Sequence, residues 1–141
     1  MRQIGALPLF FYDDGTVEVV LVTSRFGRRW IIPKGNPMAG LPPTTVAALE
    51  ALEEGGIIGT VIDYKVGTFK LESRTKKCIV DVYPLIVREQ LSHWDEAGDR
   101  KSIRCDLQTA QSLVSSPSLA ALLRDIKPGK IERFHREHYP V

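Results

Sequence analysis

"GNPMAGLPPTTVAALEALEEGGI", residues 35–57, gathers Glu50, Glu53 and Glu54 within five positions and sets no Lys or Arg beside them. The stretch predicts a helix over 44–54. Pro43 suits the first turn, Thr44 is the expected cap, and Gly55-Gly56 ends the helix in a left-handed residue. At about 100° per residue, Glu54 lies about 40° to one side of Glu50 and Glu53 about 60° to the other. Small Ala47, Ala48 and Ala51 let one face sit close to a sheet, so the other face is expected to present the carboxylate oxygens. Like charges at i,i+4 destabilise a helix by a few tenths of a kcal/mol. A positive partner is therefore expected, and hard divalent cations such as Mg²⁺ take this kind of oxygen ligand. The alternative from spacing alone is a solvated glutamate face.

Outward from the helix, residues 3–12 and 17–24 read as strands around an Asp-Asp-Gly turn. Residues 30–33 (WIIP) read as a short strand stopped by proline. Residues 34–43, crowded with Gly and Pro, read as a loop. Past the helix, 57–73 and 76–90 read as strands flanking a basic turn, and 102–107 as a short strand. Two helices follow. The second takes Ser116 as cap, Pro117 at its first position and an apolar stripe of Leu119, Leu122, Leu123 and Ile126. From about Lys127 the chain reads as a polar tail with a frayed end. Strands that do not alternate strictly with helices predict an α/β fold, a mixed sheet with helices on both faces.

The 141 residues suit a single domain. A net charge of +2 is too small to support nucleic-acid binding by bulk charge. No nucleic-acid polymer is expected as a partner. Cys78 and Cys105 match no metal spacing or disulfide framework, which predicts a reduced, cytoplasmic setting. The apolar start carries Pro8 and runs into Asp13-Asp14-Gly15, so a strand is expected there rather than a leader peptide. No membrane span is expected.

Residues 35–57 resemble the signature of the Nudix hydrolases. That signature reads Gly, five residues, Glu, seven residues, Arg-Glu, an aliphatic, any residue, Glu-Glu, any residue, Gly, an aliphatic. From Gly35, its later Glu falls on Glu50, its Glu-Glu pair on Glu53-Glu54, its last Gly on Gly56 and its aliphatics on Ala51 and Ile57. The lead-in WIIPKG and the N-terminal hairpin are also similar to the family's, and the resemblance extends over about residues 3–125. The segment RRWIIPKGNPMAGL looks most like the bacterial branch similar to diphosphoinositol-polyphosphate phosphohydrolases. Two positions depart from the signature. Leu41 stands for its first Glu, which that branch often lacks, and Leu49 for its Arg, which in the family holds the glutamates by charge-assisted hydrogen bonds.

The resemblance implies a Nudix-type α/β/α sandwich and Mg²⁺-dependent hydrolysis of a pyrophosphate bond in a small polyphosphate. The substrate would be a nucleoside diphosphate derivative, a dinucleoside polyphosphate or an inositol pyrophosphate. It implies Mg²⁺ or Mn²⁺ on Glu50, Glu53, Glu54 and the backbone of Gly35, with Glu50 or Glu53 as base. Arg25, Arg28, Arg29, Lys34, Arg74 and Lys76 are the candidate phosphate contacts, arginine binding bidentately and lysine as a point charge. The alternative is a weakened phosphate-ligand binding module, because a lost supporting contact typically costs ~10–100-fold in metal affinity or activity. Leu49→Arg is expected to raise activity. If it does not, another cation donor serves the glutamates, or hydrolysis is not the task. His93 is expected in a surface loop, and His135 and His138 show no third metal ligand.

Overall fold

The computed structural model describes residues 1–25 and 29–139. Its elements are β1 (Arg2–Phe11), β2 (Val17–Thr23), β3 (Trp30–Ile31), β4 (Lys34–Gly35), α1 (Pro43–Gly55), β5 (Ile57–Val61), β6 (Gly67–Glu72), β7 (Lys77–Gln90), β8 (Ser102–Asp106), α2 (Leu107–Leu113), α3 (Pro117–Asp125) and α4 (Pro128–His138).

All eight strands join one mixed sheet. Its main path runs β3-β2-β1-β7-β5, with β4 paired to β1, β6 to β7 and β8 to β2. β1 and β7 run parallel from Arg2–Ile79 to Leu9–Ile86. The other pairings are antiparallel.

Alternation along β1 and β2 sorts the core into two layers, because successive side chains point to opposite faces. Ile4, Ala6 and Val20 face α1, where they meet Val46, Ala47 and Ala51. Leu7, Leu9, Val19 and Leu21 face the other way, onto Leu119, Leu122 and Leu123 of α3. This is the expected sandwich.

The helix at 35–57 is framed much as expected. Pro43 occupies the first turn, and Gly56 ends α1 at φ 64°, with its N–H directed at the carbonyls of Ala51 and Leu52. Thr44 is not the cap. Pro42 takes that place with no side-chain bond, because the helix begins one residue earlier and carries Thr44 into its first turn.

Three local expectations need correction. Lys34 and Gly35 are not free loop but pair with Gly5 and Ile4. The stretch 57–73 is broken into β5 and β6, which pair with successive parts of the long β7. The polar tail from about 127 is instead a helix. Pro128 opens α4, Ile131 is buried in the α3-side core, and the Asp63 N–H donates to the Tyr139 hydroxyl at 3.0 Å. One buried apolar residue per several charged ones is too faint a stripe to read as a docked helix. His138 stacks on Phe134 with ring centroids 4.0 Å apart, and His135 on Tyr139 at 5.8 Å, so the imidazoles serve packing. No described helix is long and apolar enough to cross a membrane.

Candidate functional site

The glutamates of α1 do not all point to water. Glu50 is 9% exposed and Glu54 3%, so both lie on the buried side of the helix with Ala47 and Ala51, while Leu52 is exposed. The packed face and the carboxylate-bearing face are adjacent, not opposite as expected. The cause is β4. It brings Lys34 and Gly35 against the helix, and the Lys34 N–H donates to Glu54 Oε1 at 3.2 Å. Gly35 lies directly under Glu50, where a β-carbon would overlap the carboxylate. Glycine is thus required there by close approach of the side chain.

The Glu50 and Glu54 carboxyls are near neighbours, and burial raises both. Burial pushes Glu54 up to about 8, the neighbouring Glu50 carboxyl adds to the rise, and Arg100 opposes it. Glu53 is half-buried and near enough for its charge to raise Glu50 further.

The stretch 91–100, which includes the surface loop expected at His93, is built into this site. It closes the C-terminal end of α1, where backbone carbonyls lack helical partners. Trp94 Nε1 donates to the Glu54 carbonyl at 3.1 Å, the Glu96 N–H to the Glu53 carbonyl at 3.2 Å, and the Leu91 N–H to the Gly56 carbonyl at 2.7 Å. Gln90 Nε2 reaches the Gly55 carbonyl at 3.2 Å. The Trp94 ring lies over Gly56, where a β-carbon would strike it. His93 is exposed, as expected.

Arg100 completes the arrangement. Its side chain is 11% exposed, and Nη1 stands 3.8 Å from Glu54 Oε1. Nε donates to Glu96 Oε1 at 2.7 Å, and Nη1 to the Thr23 carbonyl at 2.9 Å. Arg25 Nη2 donates to the same Glu96 oxygen at 3.3 Å. Burial works against the Glu96 charge, but bonds and attraction from Arg100 and then Arg25 outweigh it and hold the carboxyl below its ordinary range. Neither Glu96 nor Arg100 was singled out from sequence. Glu96 lies in the segment HWDE, and no local pattern links Arg100 to the helix.

The predicted basic residues fall into different places. Arg25 reaches the site through Glu96, and exposed Arg29 closes the same loop through backbone bonds with Ser24. Arg28 lies outside the described residues. Lys34 directs its amine to Gln3 Oε1 at 2.7 Å, a structural bond where a free phosphate contact was expected. Arg74 and Lys76 are exposed in the turn joining β6 to β7. That turn leads into Cys78, whose Sγ meets the same Gln3 oxygen at 3.2 Å.

The donor set suits a hard cation: carboxylate oxygens, a nearby backbone freed of side chain at Gly35, and two buried carboxyls beside a single guanidinium. Among the described residues no three Asp, Glu, His or Cys side chains stand close enough, as they lie, to hold a metal ion. The structure brings Glu50 and Glu54 together, with Glu53 beside them, and the three carboxylates would have to converge further to hold a cation. A cavity of about 660 Å³ lies elsewhere, lined by Tyr64, Leu122, Ile126, Ile131 and Phe134. Leu122 and Ile131 belong to the α3-side core, so this cavity is across the sheet from the glutamates and has no part in their chemistry.

No protein-family model matches the chain. It is 30% identical over 110 residues to Nudix hydrolase 18, mitochondrial, of Arabidopsis thaliana, covering 72% of this chain and 62% of that protein. It is 33% identical over 90 residues to the human diphosphoinositol polyphosphate phosphohydrolase 3-beta, covering 63% of this chain and 54% of that protein. The chain thus spans roughly half to two thirds of the length of the relatives it matches. Among solved structures, a C. elegans Ap4A hydrolase binary complex matches with a TM-score of 0.70 and 20% identity, over 96% of this chain and 98% of that one. A MutT protein from Methanosarcina mazei Go1 matches with a TM-score of 0.66 and 20% identity, over 99% of this chain and 95% of that one. The structural likenesses speak to the fold, and the sequence likenesses to its family.

Proposed function

The chain belongs to the Nudix hydrolase family, and on that premise we propose that it hydrolyses a pyrophosphate bond in a small polyphosphate. The observation that carries this reading is the buried Glu50–Glu54 pair seated on Gly35 beside the Arg100 guanidinium. Glu50, Glu53, Glu54 and the Gly35 carbonyl would hold Mg²⁺ or Mn²⁺. That cation supplies neutralisation of phosphate charge and activation of a water.

The chain's own residues do the rest. Glu53, the least buried of the three glutamates, accepts the proton of the attacking water, with Glu50 as the other candidate base. Arg25 and Arg29, exposed on the loop after β2, bind phosphate oxygens, and Arg28 belongs to the same stretch. Arg74 and Lys76 offer outlying positive charge to the polyanion's far end. Lys34, tied to Gln3, fixes the β4 backbone against Glu54.

The substrate class is a nucleoside diphosphate derivative, a dinucleoside polyphosphate or an inositol pyrophosphate. The names of the human relative and the C. elegans neighbour support testing the last two first. Leu41 and Leu49 favour a second reading, a phosphate-ligand module with little turnover. A substrate panel with and without Mg²⁺, read as phosphate and pyrophosphate release and paired with calorimetric binding, separates the two. Mg²⁺-dependent release abolished by Glu53→Gln supports the enzyme. Tight binding without release supports the module.

A further inference from the structure

The signature places an arginine at position 49, next to the first helical glutamate, and this chain has Leu49, half-buried. We propose that Arg100, which reaches the site from the loop before β8, is the positioning residue that replaces it. The inference rests on the reading of Glu50, Glu53 and Glu54 as the cation site.

Four observations carry it. The guanidinium is 11% exposed and lies 3.8 Å from Glu54 Oε1, close enough for a strong attraction where water is scarce. Its orientation is fixed from two other sides: Nε donates to Glu96 Oε1 at 2.7 Å and Nη1 to the Thr23 carbonyl at 2.9 Å. Glu96 is in turn held by Arg25 and, through its backbone N–H, by the Glu53 carbonyl. Finally, the last turn of α1 contains no basic residue of its own, so the negative end of the helix and two buried carboxyls rely on a cation from outside.

A surface salt bridge would not be built this way. A flexible exposed pair has no need of a backbone carbonyl and a second carboxylate to set the guanidinium plane. Arg100 is placed as a fixed counter-charge that keeps Glu54 turned toward Glu50 and Gly35. Arginine suits that task better than lysine, because its planar fork reaches Glu96, Thr23 and Glu54 at once. Leu49 is then a packing residue, not a damaged one, and Leu49→Arg alone is expected to change cation affinity and activity by less than about 3-fold.

The test is Mn²⁺ affinity, measured by electron paramagnetic resonance on the whole protein. Variants Arg100→Leu, Arg100→Lys, Leu49→Arg and the double Leu49→Arg/Arg100→Leu are compared with wild type, and thermal unfolding and kcat against KM are recorded beside them. Arg100→Leu is expected to weaken Mn²⁺ binding ~10–100-fold and to lower kcat more than it raises KM. Arg100→Lys should fall between it and wild type. The double variant should recover at least several-fold over Arg100→Leu, because a guanidinium returns to the same carboxylates from the helix side.

A folded Arg100→Leu that binds Mn²⁺ as wild type does overturns the proposal and leaves the cation reading intact. If Arg100→Leu does not fold, Arg100→Lys decides, and unchanged affinity there overturns the proposal. A wild type that binds no Mn²⁺ overturns the cation reading, and this inference falls with it.

Discussion

At Gly35 the fold leaves no room for even one added carbon. Its φ is ordinary, so the constraint comes entirely from the Glu50 carboxylate above it. Gly35→Ala is expected to displace that carboxylate and to lower divalent-cation affinity and hydrolysis ~10–100-fold. Thermal stability should change far less, and measuring both on the same sample separates a displaced ligand from a damaged fold. Gly56 is constrained differently. A φ of 64° disfavours any side chain, and Trp94 fills the space a β-carbon needs. Gly56→Ala is expected to cost about 1–3 kcal/mol in denaturant unfolding, and a cost under ~0.5 kcal/mol would contradict the described packing. Gly56 and the three glutamates were legible in sequence, because their spacing is local to one helix and its end, and Gly35 only through the resemblance to the family signature. Arg100 was not. It meets Glu54 through space, with three strands and a loop between them in sequence, and nothing in its own neighbourhood marks it.

Among the elements, α1 and α4 show where reading a sequence succeeds and where it stops. α1 has a proline start, a glycine stop and small residues facing Ala6, and each of these is a local cue. α4 has Pro128-Gly129 at its start and a strongly charged sequence in which Ile131 is the buried residue. Its docking depends on partners distant in sequence: Tyr64 meets Phe134 with centroids 5.8 Å apart, and Tyr139 receives the Asp63 N–H. Ile131→Ala is therefore expected to cost about 2–4 kcal/mol, the range for a buried aliphatic truncated in a core. Hydrolysis by the surviving folded protein should be nearly unchanged, since α4 packs across the sheet from the glutamates. Equal stability of the variant and wild type would mean that the helix is not docked as described.

For the whole molecule, the glutamate pair links stability to pH. Glu54 has an ordinary value near 4.5 when unfolded and is raised to about 8 when folded; Glu50 shifts in the same direction. Below about 4.5 both states hold the proton, and this contribution to stability is fully present. As pH rises toward 8 the unfolded chain has released a proton that the folded chain keeps, so stability falls, by at most ~1.4 kcal/mol per pH unit for one proton. Carboxyls shifted downward, such as Glu96, titrate below this window. The melting temperature in EDTA is expected to drop between pH 5 and pH 8, and added Mn²⁺ should raise it more at pH 8 than at pH 5. A melting temperature that climbs steadily over that range would argue against the burial of Glu50 and Glu54.

The proposed cation site is formed by α1 and Gly35. It is tested most directly by anomalous diffraction from crystals soaked in Mn²⁺. An anomalous peak is expected, bounded by the carboxylates of Glu50, Glu53 and Glu54 and the Gly35 carbonyl, with Arg100 still beside Glu54. Anomalous density only at other positions would contradict it.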